Sequence, residues 1–101
     1  MIERRRAGRK LVDLEIRKHQ NGSSYFCRAC EISPTGIRIN RILDSHITDD
    51  IIDIEVPLVL GGLTTSVPSR MVWREGSYEA FEFVDPSFAQ QAMLERVFGN
   101  Y

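Results

Sequence analysis

The chain has 101 residues, 43% hydrophobic and 27% charged, which gives it the length of one domain and the composition of an ordinary globular protein. Its formal net charge of −1 conceals an asymmetry, because residues 1–10 carry five positive charges and one negative, while residues 11–101 carry eight positive and thirteen negative. This acidic body argues against a general DNA- or RNA-binding domain, which is usually basic across a face, and no apolar run approaches the roughly 20 residues of a membrane-spanning helix.

The first half of the chain is typical of short antiparallel strands. Residues 11–19 alternate, with apolar side chains at positions 12, 14 and 16, as in a half-buried strand. Asn21-Gly22 favours a hairpin turn into a second strand at residues 24–32. In residues 33–36, Ser, Pro and Gly occupy the first, second and fourth places of a type I turn, which leads to a third strand at residues 37–42.

Three further strands are predicted after a polar loop. The fourth lies in residues 51–60, where alternate side chains are apolar, and Gly61-Gly62 ends it. The fifth covers residues 64–73, with Pro68 at an edge or a bulge. A turn at Glu75-Gly76 then leads to the sixth strand, at residues 77–84.

The last segment changes to a helical period. Asp85 is predicted as the N-cap and Pro86 as the first helical residue. One face of this helix is predicted to be apolar and buried, with Ala89, Met93 and Val97 on it and Leu94 beside them. Gln91 and Glu95 are predicted to point away from that face. Gly99-Asn100 is a suitable end.

Six short strands followed by one helix predict a mostly β fold, a small antiparallel barrel or sandwich with the C-terminal helix across an open end or an edge. We expect one domain, residues 1–101. It divides into a basic arm at residues 1–10, the barrel at 11–85 and the helix at 86–98.

Residues often associated with catalysis or metal binding have plainer interpretations here. His19 and His46 have no diagnostic neighbours, and the chain carries no phosphate loop or hydrolase motif, so we do not expect an enzyme. Cys27 and Cys30 form a CxxC inside a predicted strand, where positions three apart face opposite sides; we expect reduced thiols and no metal site. Trp73 is either a packing residue of the core or rim, which we favour, or a stacking platform.

Two segments fit an anionic ligand. In an extended arm, Arg5 and Arg9 lie on one side, about 13 Å apart, and arginine forms paired hydrogen bonds with phosphate or with guanine O6 and N7. At the predicted turn, the carboxylate of Glu31 is suited to accept hydrogen bonds from guanine N1–H and N2–H₂. Ser33 adds a hydroxyl, and Gly36 allows close backbone approach. The alternative is that this segment is only a hairpin turn.

At these positions the sequence resembles the PilZ domain family over essentially its whole length. The family's RxxxR motif matches residues 5–9, and its [D/N]xSxxG motif matches residues 31–36. The Val72-Trp73 strand end and residues 80–83, at the place of a late GxxF, also resemble it. The resemblance implies a six-stranded barrel with a closing helix, and binding of cyclic di-GMP, a bacterial second messenger with two guanines and two phosphates.

By that resemblance, Arg5 and Arg9 grip phosphates and guanine edges, often of a stacked pair of ligand molecules, and Arg4 or Arg6 adds a phosphate contact. Binding is expected to fold the arm onto the barrel, which would be the signal. No other cofactor is implied.

Ser33 and Gly36 are expected to line the barrel surface under the ligand, while two residues depart from the family pattern. Glu31 stands in place of Asp or Asn, and its additional methylene displaces the carboxylate; since a bidentate pair is worth about 1–3 kcal/mol, affinity is expected to fall roughly ten- to a hundredfold. Ala80 stands in place of the late glycine and adds a methyl group.

Two functions remain open from the sequence, beside a weaker third, a nucleic-acid binder through the basic arm, which the acidic body argues against. The first is a bacterial cytoplasmic cyclic di-GMP receptor that acts on a protein partner controlling motility, adhesion or exopolysaccharide, with no DNA or RNA bound and no membrane insertion. The second is a PilZ-like protein-interaction module of a pilus or motility system that binds no nucleotide.

Overall fold

The computed structural model describes residues 10–20, 22–41, 51–57 and 64–98. Six strands and one helix follow one another along the chain. They are β1 (Lys10–Gln20), β2 (Ser23–Ser33), β3 (Gly36–Arg41), β4 (Ile51–Pro57), β5 (Thr64–Glu75), β6 (Tyr78–Phe83) and α1 (Phe88–Phe98).

The strands form a closed antiparallel barrel in the order β1-β2-β3-β6-β5-β4. The hairpins β1–β2, β2–β3, β4–β5 and β5–β6 join neighbours in sequence, whereas β3–β6 and β1–β4 join strands far apart in it. The predicted fold class, a six-stranded antiparallel barrel with a C-terminal helix, is confirmed. Lys10, which we assigned to the arm, is the first residue of β1.

The barrel interior follows from the period of two. Alternate side chains of each strand point inward and form one hydrophobic core with the buried face of α1. The core residues are Ile16, Cys27, Ala29, Ile32, Ile37, Ile39, Ile52, Ile54, Val56, Val67, Phe81, Phe83, Leu94 and Phe98. The alternation that the sequence shows in β1 and β4 therefore identified their inward faces, to which Ile16, Ile52, Ile54 and Val56 belong.

One end of the interior is polar. The side chains of Lys18 and Glu79 are both 0% exposed, and Lys18 Nζ lies 2.9 Å from Glu79 Oε1. Arg41 Nε and Arg74 Nε each lie 3.6 Å from Glu79 Oε2. The single carboxylate of Glu79 therefore faces all three cations at this end of the barrel.

The helix begins with a different cap from the one we predicted. Ser87 Oγ accepts a hydrogen bond from the Gln90 backbone N–H at 3.1 Å, and Gln90 Oε1 accepts one from the Ser87 backbone N–H at 3.0 Å. This reciprocal pair is a capping box with Ser87 as N-cap. The prediction of Asp85 as N-cap and Pro86 as first helical residue was wrong, because Asp85 has a φ of 43° and the helix begins at Phe88.

The buried face of α1 is also shifted from the predicted one. Leu94 and Phe98 are buried and Met93 and Val97 are half-buried, whereas Ala89 is exposed. Gln91 and Glu95 face solvent as predicted. Within the part of the chain that the structure describes, no helix is long and apolar enough to cross a membrane.

Candidate functional site

A cavity of about 290 Å³ lies on the outer surface of the barrel where β2, β3, β5 and β6 run side by side. Register shifts between Ala29 and Glu31 in β2 and between Met71 and Trp73 in β5 border it. Such bulges re-aim side chains. The cavity is lined by Glu31, Ile32, Ser33, Gly36, Ile37, Arg38, Trp73, Ala80 and Phe81.

The outer wall of the cavity is one row of residues across four strands. In the strand register, Glu31 lies opposite Arg38, Arg38 opposite Ala80, and Ala80 opposite Trp73. Directly opposite side chains of antiparallel strands lie on the same face and contact one another. The row therefore brings together a carboxylate, a guanidinium, a small side chain and an indole from distant parts of the sequence.

The charged and aromatic members of this row contact one another. Arg38 Nη1 lies 3.6 Å from Glu31 Oε1. The Arg38 guanidinium carbon lies 5.7 Å from the centroid of the Trp73 ring, within the range of a cation–π interaction. Because Ala80 separates them and is small, the arginine reaches the indole across β6. The three side chains thus form a connected polar and aromatic edge.

Trp73 is 43% exposed, so it is not a core residue, and of the sequence interpretations rim packing and a stacking platform stay open. The bulge turns its ring outward to the cavity, whereas Arg74, next in the chain, lies opposite the inward-facing Glu79. The exposed indole therefore fits the alternative interpretation, a stacking platform for a planar ligand.

The turn between β2 and β3 is built around the hydroxyl of Ser33. Ser33 Oγ accepts hydrogen bonds from the backbone N–H groups of Thr35 and Gly36, both at 3.2 Å. The carbonyl of Thr35 accepts a hydrogen bond from the Phe83 backbone N–H at 2.9 Å, which ties the turn to the end of β6. Ser33 therefore shapes the hairpin turn and also borders the cavity, so the turn is present and the ligand-binding interpretation of this segment stays a prediction.

Gly36 has a packing role that the sequence did not reveal. A Cβ atom built on Gly36 would lie 2.5 Å from the backbone oxygen of Phe81, closer than side chains approach. A side chain at this position is thus incompatible with the contact between β3 and β6. The glycine of the motif is needed by the barrel itself, in addition to any ligand that approaches it.

We expect Gly36→Ala to lower the free energy of unfolding by about 1–3 kcal/mol, the usual cost of overpacking, because the new methyl group meets backbone that cannot rotate away. Urea denaturation measures this, with Thr35→Ala as the matched control in the same turn. Equal stabilities of the two variants would show that β3 and β6 separate at no cost, contrary to the contact with Phe81.

The two cysteines lie on opposite sides of the sheet, as predicted. Cys27 is in the core, while Cys30 is half-buried and its thiol contacts the Arg38 carbonyl at 3.4 Å. Burial raises the pKa of the Cys30 thiol. Cys30 also lines a second depression of about 370 Å³, together with Leu11, Glu31, Arg38 and Tyr78, which adjoins the cavity.

His19 is partly exposed on the outer face of β1. Its Nδ1 lies 2.8 Å from Ser24 Oγ and its Nε2 lies 3.8 Å from Glu55 Oε1. The side chain is not among those that line the cavity. His46 lies outside the described residues.

The structure brings together part of the predicted site. Glu31, Ser33 and Gly36 line one cavity. The arm residues Arg4, Arg5 and Arg9 lie outside the described residues. The sequence analysis missed Arg38, although its place two residues after Gly36, on the outward face of a predicted strand, was a usable signal.

Comparison with known proteins gives a consistent family assignment. The family model described as PilZ domain matches residues 3–99. Among solved structures, the chain is similar to the PilZ domain of CeSA from a cellulose-synthesizing bacterium, with a TM-score of 0.71, 14% identity and coverage of 89% of this chain and 93% of that chain. It is also similar to the Borreliella burgdorferi PlzA protein in complex with cyclic di-GMP, with a TM-score of 0.63 and 10% identity. That match covers 90% of this chain and 39% of the other. No curated protein matches the chain significantly.

Proposed function

Because this chain belongs to the PilZ domain family, we propose that it is a bacterial cytoplasmic receptor that binds cyclic di-GMP and passes the binding event to a protein partner. The observation that carries the proposal is the cavity of about 290 Å³, where Glu31, Ser33 and Gly36 meet Arg38 and Trp73. Family membership is consistent with a binding module rather than an enzyme, and one structurally similar protein, PlzA, is in complex with this nucleotide.

The cavity has the chemistry of a purine site. Its volume is near the lower end of ligand pockets, which is about 300 Å³, so it has room for one base rather than a whole dinucleotide. Ile32, Ile37 and Phe81 also line it, although their side chains belong to the barrel core and are only 0%, 4% and 3% exposed. Trp73 offers an aromatic ring for stacking, and Glu31 offers acceptors for guanine N1–H and N2–H₂.

The path of the chain supports a role for the arm. β1 begins at Lys10, which lies opposite Ile32, and Leu11 lies opposite Glu31. Consecutive Cα atoms are about 3.8 Å apart, so Arg9 precedes a residue that is already paired beside the cavity. We propose that Arg4, Arg5 and Arg9 bind the phosphates and guanine edges of the nucleotide whose base enters the cavity.

The output of this receptor is proposed to be a protein partner in motility, adhesion or exopolysaccharide control. Large apolar side chains are exposed on the described surface and offer contacts for a partner; they are Leu11, Phe26, Ile51, Val72, Trp73, Tyr78 and Phe88. Leu11 and Tyr78 border the depression beside the cavity. A bound nucleotide and a folded arm would therefore change a surface that already has exposed apolar groups.

A second candidate function is a PilZ-like interaction module that binds no nucleotide. It is favoured by Ala80, whose methyl group occupies the cavity wall where the family pattern has glycine, and by Glu31, whose carboxylate is already in contact with Arg38. In this case the pair would be a structural element of a degenerate site.

Calorimetric titration with cyclic di-GMP at physiological salt distinguishes the two. We expect the wild-type chain to bind with a dissociation constant in the micromolar range or below, and to bind GTP and cyclic di-AMP much more weakly, because only the guanine dinucleotide satisfies both cavity and arm. Ser33→Ala is expected to weaken binding. Absence of heat at high nucleotide concentration would contradict the receptor function and leave the interaction module.

A further inference from the structure

We infer that Arg38 is a specificity-determining residue, which together with Glu31 reads the Watson–Crick edge of a guanine that stacks on Trp73. This inference deepens the proposed function and rests on it. It assigns a ligand contact to a residue outside the RxxxR and [D/N]xSxxG motifs, on the basis of its position in the cavity wall.

The position of the Arg38 side chain supports a contact with the base. Arg38 lines both the cavity and the adjoining depression, so it stands at the boundary of the two spaces. Its side chain is 41% exposed, whereas that of Glu31 is 18% exposed. The guanidinium contacts a neighbour on each of two sides. Its Nη1 lies 3.6 Å from Glu31 Oε1, and its central carbon lies 5.7 Å from the centroid of the Trp73 ring. A side chain fixed in this way loses little conformational freedom when a ligand binds.

The second support is the match of hydrogen-bonding groups. The Watson–Crick edge of guanine presents one acceptor, O6, beside two donors, N1–H and N2–H₂. A guanidinium donates and a carboxylate accepts, and the carboxylate accepts up to about four hydrogen bonds, so contact with Arg38 is compatible with contact to a base. Arg38 beside Glu31 therefore presents the complementary order, a donor followed by acceptors.

Adenine presents the opposite pattern at the same edge. Its N6–H₂ donor would face the guanidinium donors, and its N1 acceptor would face the carboxylate. Both contacts are unfavourable, and buried polar groups left without a matching partner are what makes such a site discriminate. The pair is thus predicted to favour cyclic di-GMP over cyclic di-AMP.

The length of Glu31 has a use in this arrangement. An aspartate carboxylate would end one methylene earlier, and the contact of 3.6 Å to Arg38 would lengthen beyond the range of an ion pair unless the strands moved. Glutamate, in place of the family's Asp or Asn, therefore has the length that contact with Arg38 on the neighbouring strand requires. We expect Glu31→Asp to weaken binding, opposite to the tightening that an isolated carboxylate would show.

The test compares Arg38→Met with Arg70→Met by calorimetry against cyclic di-GMP and cyclic di-AMP. Arg70 is the matched control, because it also forms an exposed ion pair on the outer face, 3.3 Å from Glu82, and does not line the cavity. We expect Arg38→Met to weaken cyclic di-GMP binding by about 10- to 100-fold and to reduce the preference over cyclic di-AMP. Arg70→Met should leave both unchanged. Arg38→Lys, which keeps the charge but not the planar fork, should recover only part of the loss.

Several outcomes of these titrations would contradict the role of Arg38. If cyclic di-GMP binds the wild type and Arg38→Met alike, or if Arg38→Met weakens both nucleotides by the same factor, Arg38 does not read the base, while the receptor function stands. If the wild type binds no cyclic di-GMP, the proposed function fails and this inference fails with it. If Arg38→Lys binds cyclic di-GMP as tightly as the wild type does, a positive charge alone is sufficient at this position, and the inference is also overturned.

Discussion

Glu79→Gln is expected to lower the free energy of unfolding by about 3–5 kcal/mol, the usual cost of removing one member of a buried ion pair. Single domains have a total stability of about 5–15 kcal/mol, so the variant would lose a large share of it. The melting temperature should fall by roughly 12–40 °C, since about 1 kcal/mol corresponds to about 4–8 °C in a chain of this size.

The reason is that one carboxylate serves three cations. Glu79 is 0% exposed and lies 2.9 Å from the equally buried Lys18 and 3.6 Å from both Arg41 and Arg74. The amide of glutamine preserves the shape and one acceptor oxygen, but it loses the charge and places an N–H₂ donor beside cations that are themselves donors. Lys18 would then remain inside the barrel without the negative charge that Glu79 supplies.

Three further variants isolate this effect. Lys18→Met should cost less than Glu79→Gln, because Glu79 still contacts Arg41 and Arg74. The double variant Lys18→Met/Glu79→Met should recover part of the stability, since apolar replacements of buried ion pairs are often neutral. Glu82→Gln, which breaks the exposed pair with Arg70, should cost less than about 1 kcal/mol. Urea denaturation curves in which Glu79→Gln and Glu82→Gln coincide would contradict the importance of the interior pair.

The strands could be predicted because their information is local. Residues 11–19 and 51–57 alternate between apolar and polar side chains, and the turn residues between strands fix where the chain reverses. The barrel class followed from the number of strands together with the family resemblance. The pairing of β1 with β4 and of β3 with β6 depends on contacts across long stretches of chain, which periodicity does not encode.

The structure departs from the sequence-based predictions where tertiary contacts outweigh the local preference of a residue. Lys18 continues the inward face of β1, where a charged residue is unexpected, and it is accommodated only because Glu79 arrives from a distant strand. Asp85 is a good N-cap residue by type, yet Ser87 has Gln90 at the right spacing to complete a reciprocal pair. Neither outcome is visible from the propensity of one residue.

In the candidate site, too, some residues could be predicted from the sequence and others could not. Glu31, Ser33 and Gly36 could be selected from the sequence because they are close together in one turn and match a motif. Arg38, two residues after Gly36, could have been added from the sequence, whereas Trp73 could not be joined to them by spacing, because a bulge in β5 decides that its side chain faces the cavity. The row from Glu31 to Trp73 exists only once four strands are aligned.

The strongest effect on ligand binding is expected from the arm. The double variant Arg5→Ala/Arg9→Ala should weaken cyclic di-GMP binding by more than about 100-fold, because each arginine that makes paired hydrogen bonds with a phosphate or a guanine contributes about 1–3 kcal/mol. If the loss is one of ligand contacts, the free energy of unfolding should stay at the wild-type value. Calorimetry and urea denaturation on the same preparations measure the two quantities separately.

The control must remove the same charge from another place. Arg70→Ala/Arg96→Ala also lowers the net charge by two, but Arg70 lies on the outer face of β5 and Arg96 in the last turn of α1, and neither lines the cavity. A general electrostatic attraction to a dianion would weaken equally in both double variants and would be screened by salt. Site-specific contacts predict that only the arm variant loses affinity at physiological salt. Equal losses would therefore show that the arm acts through its charge alone and makes no direct contact with the nucleotide.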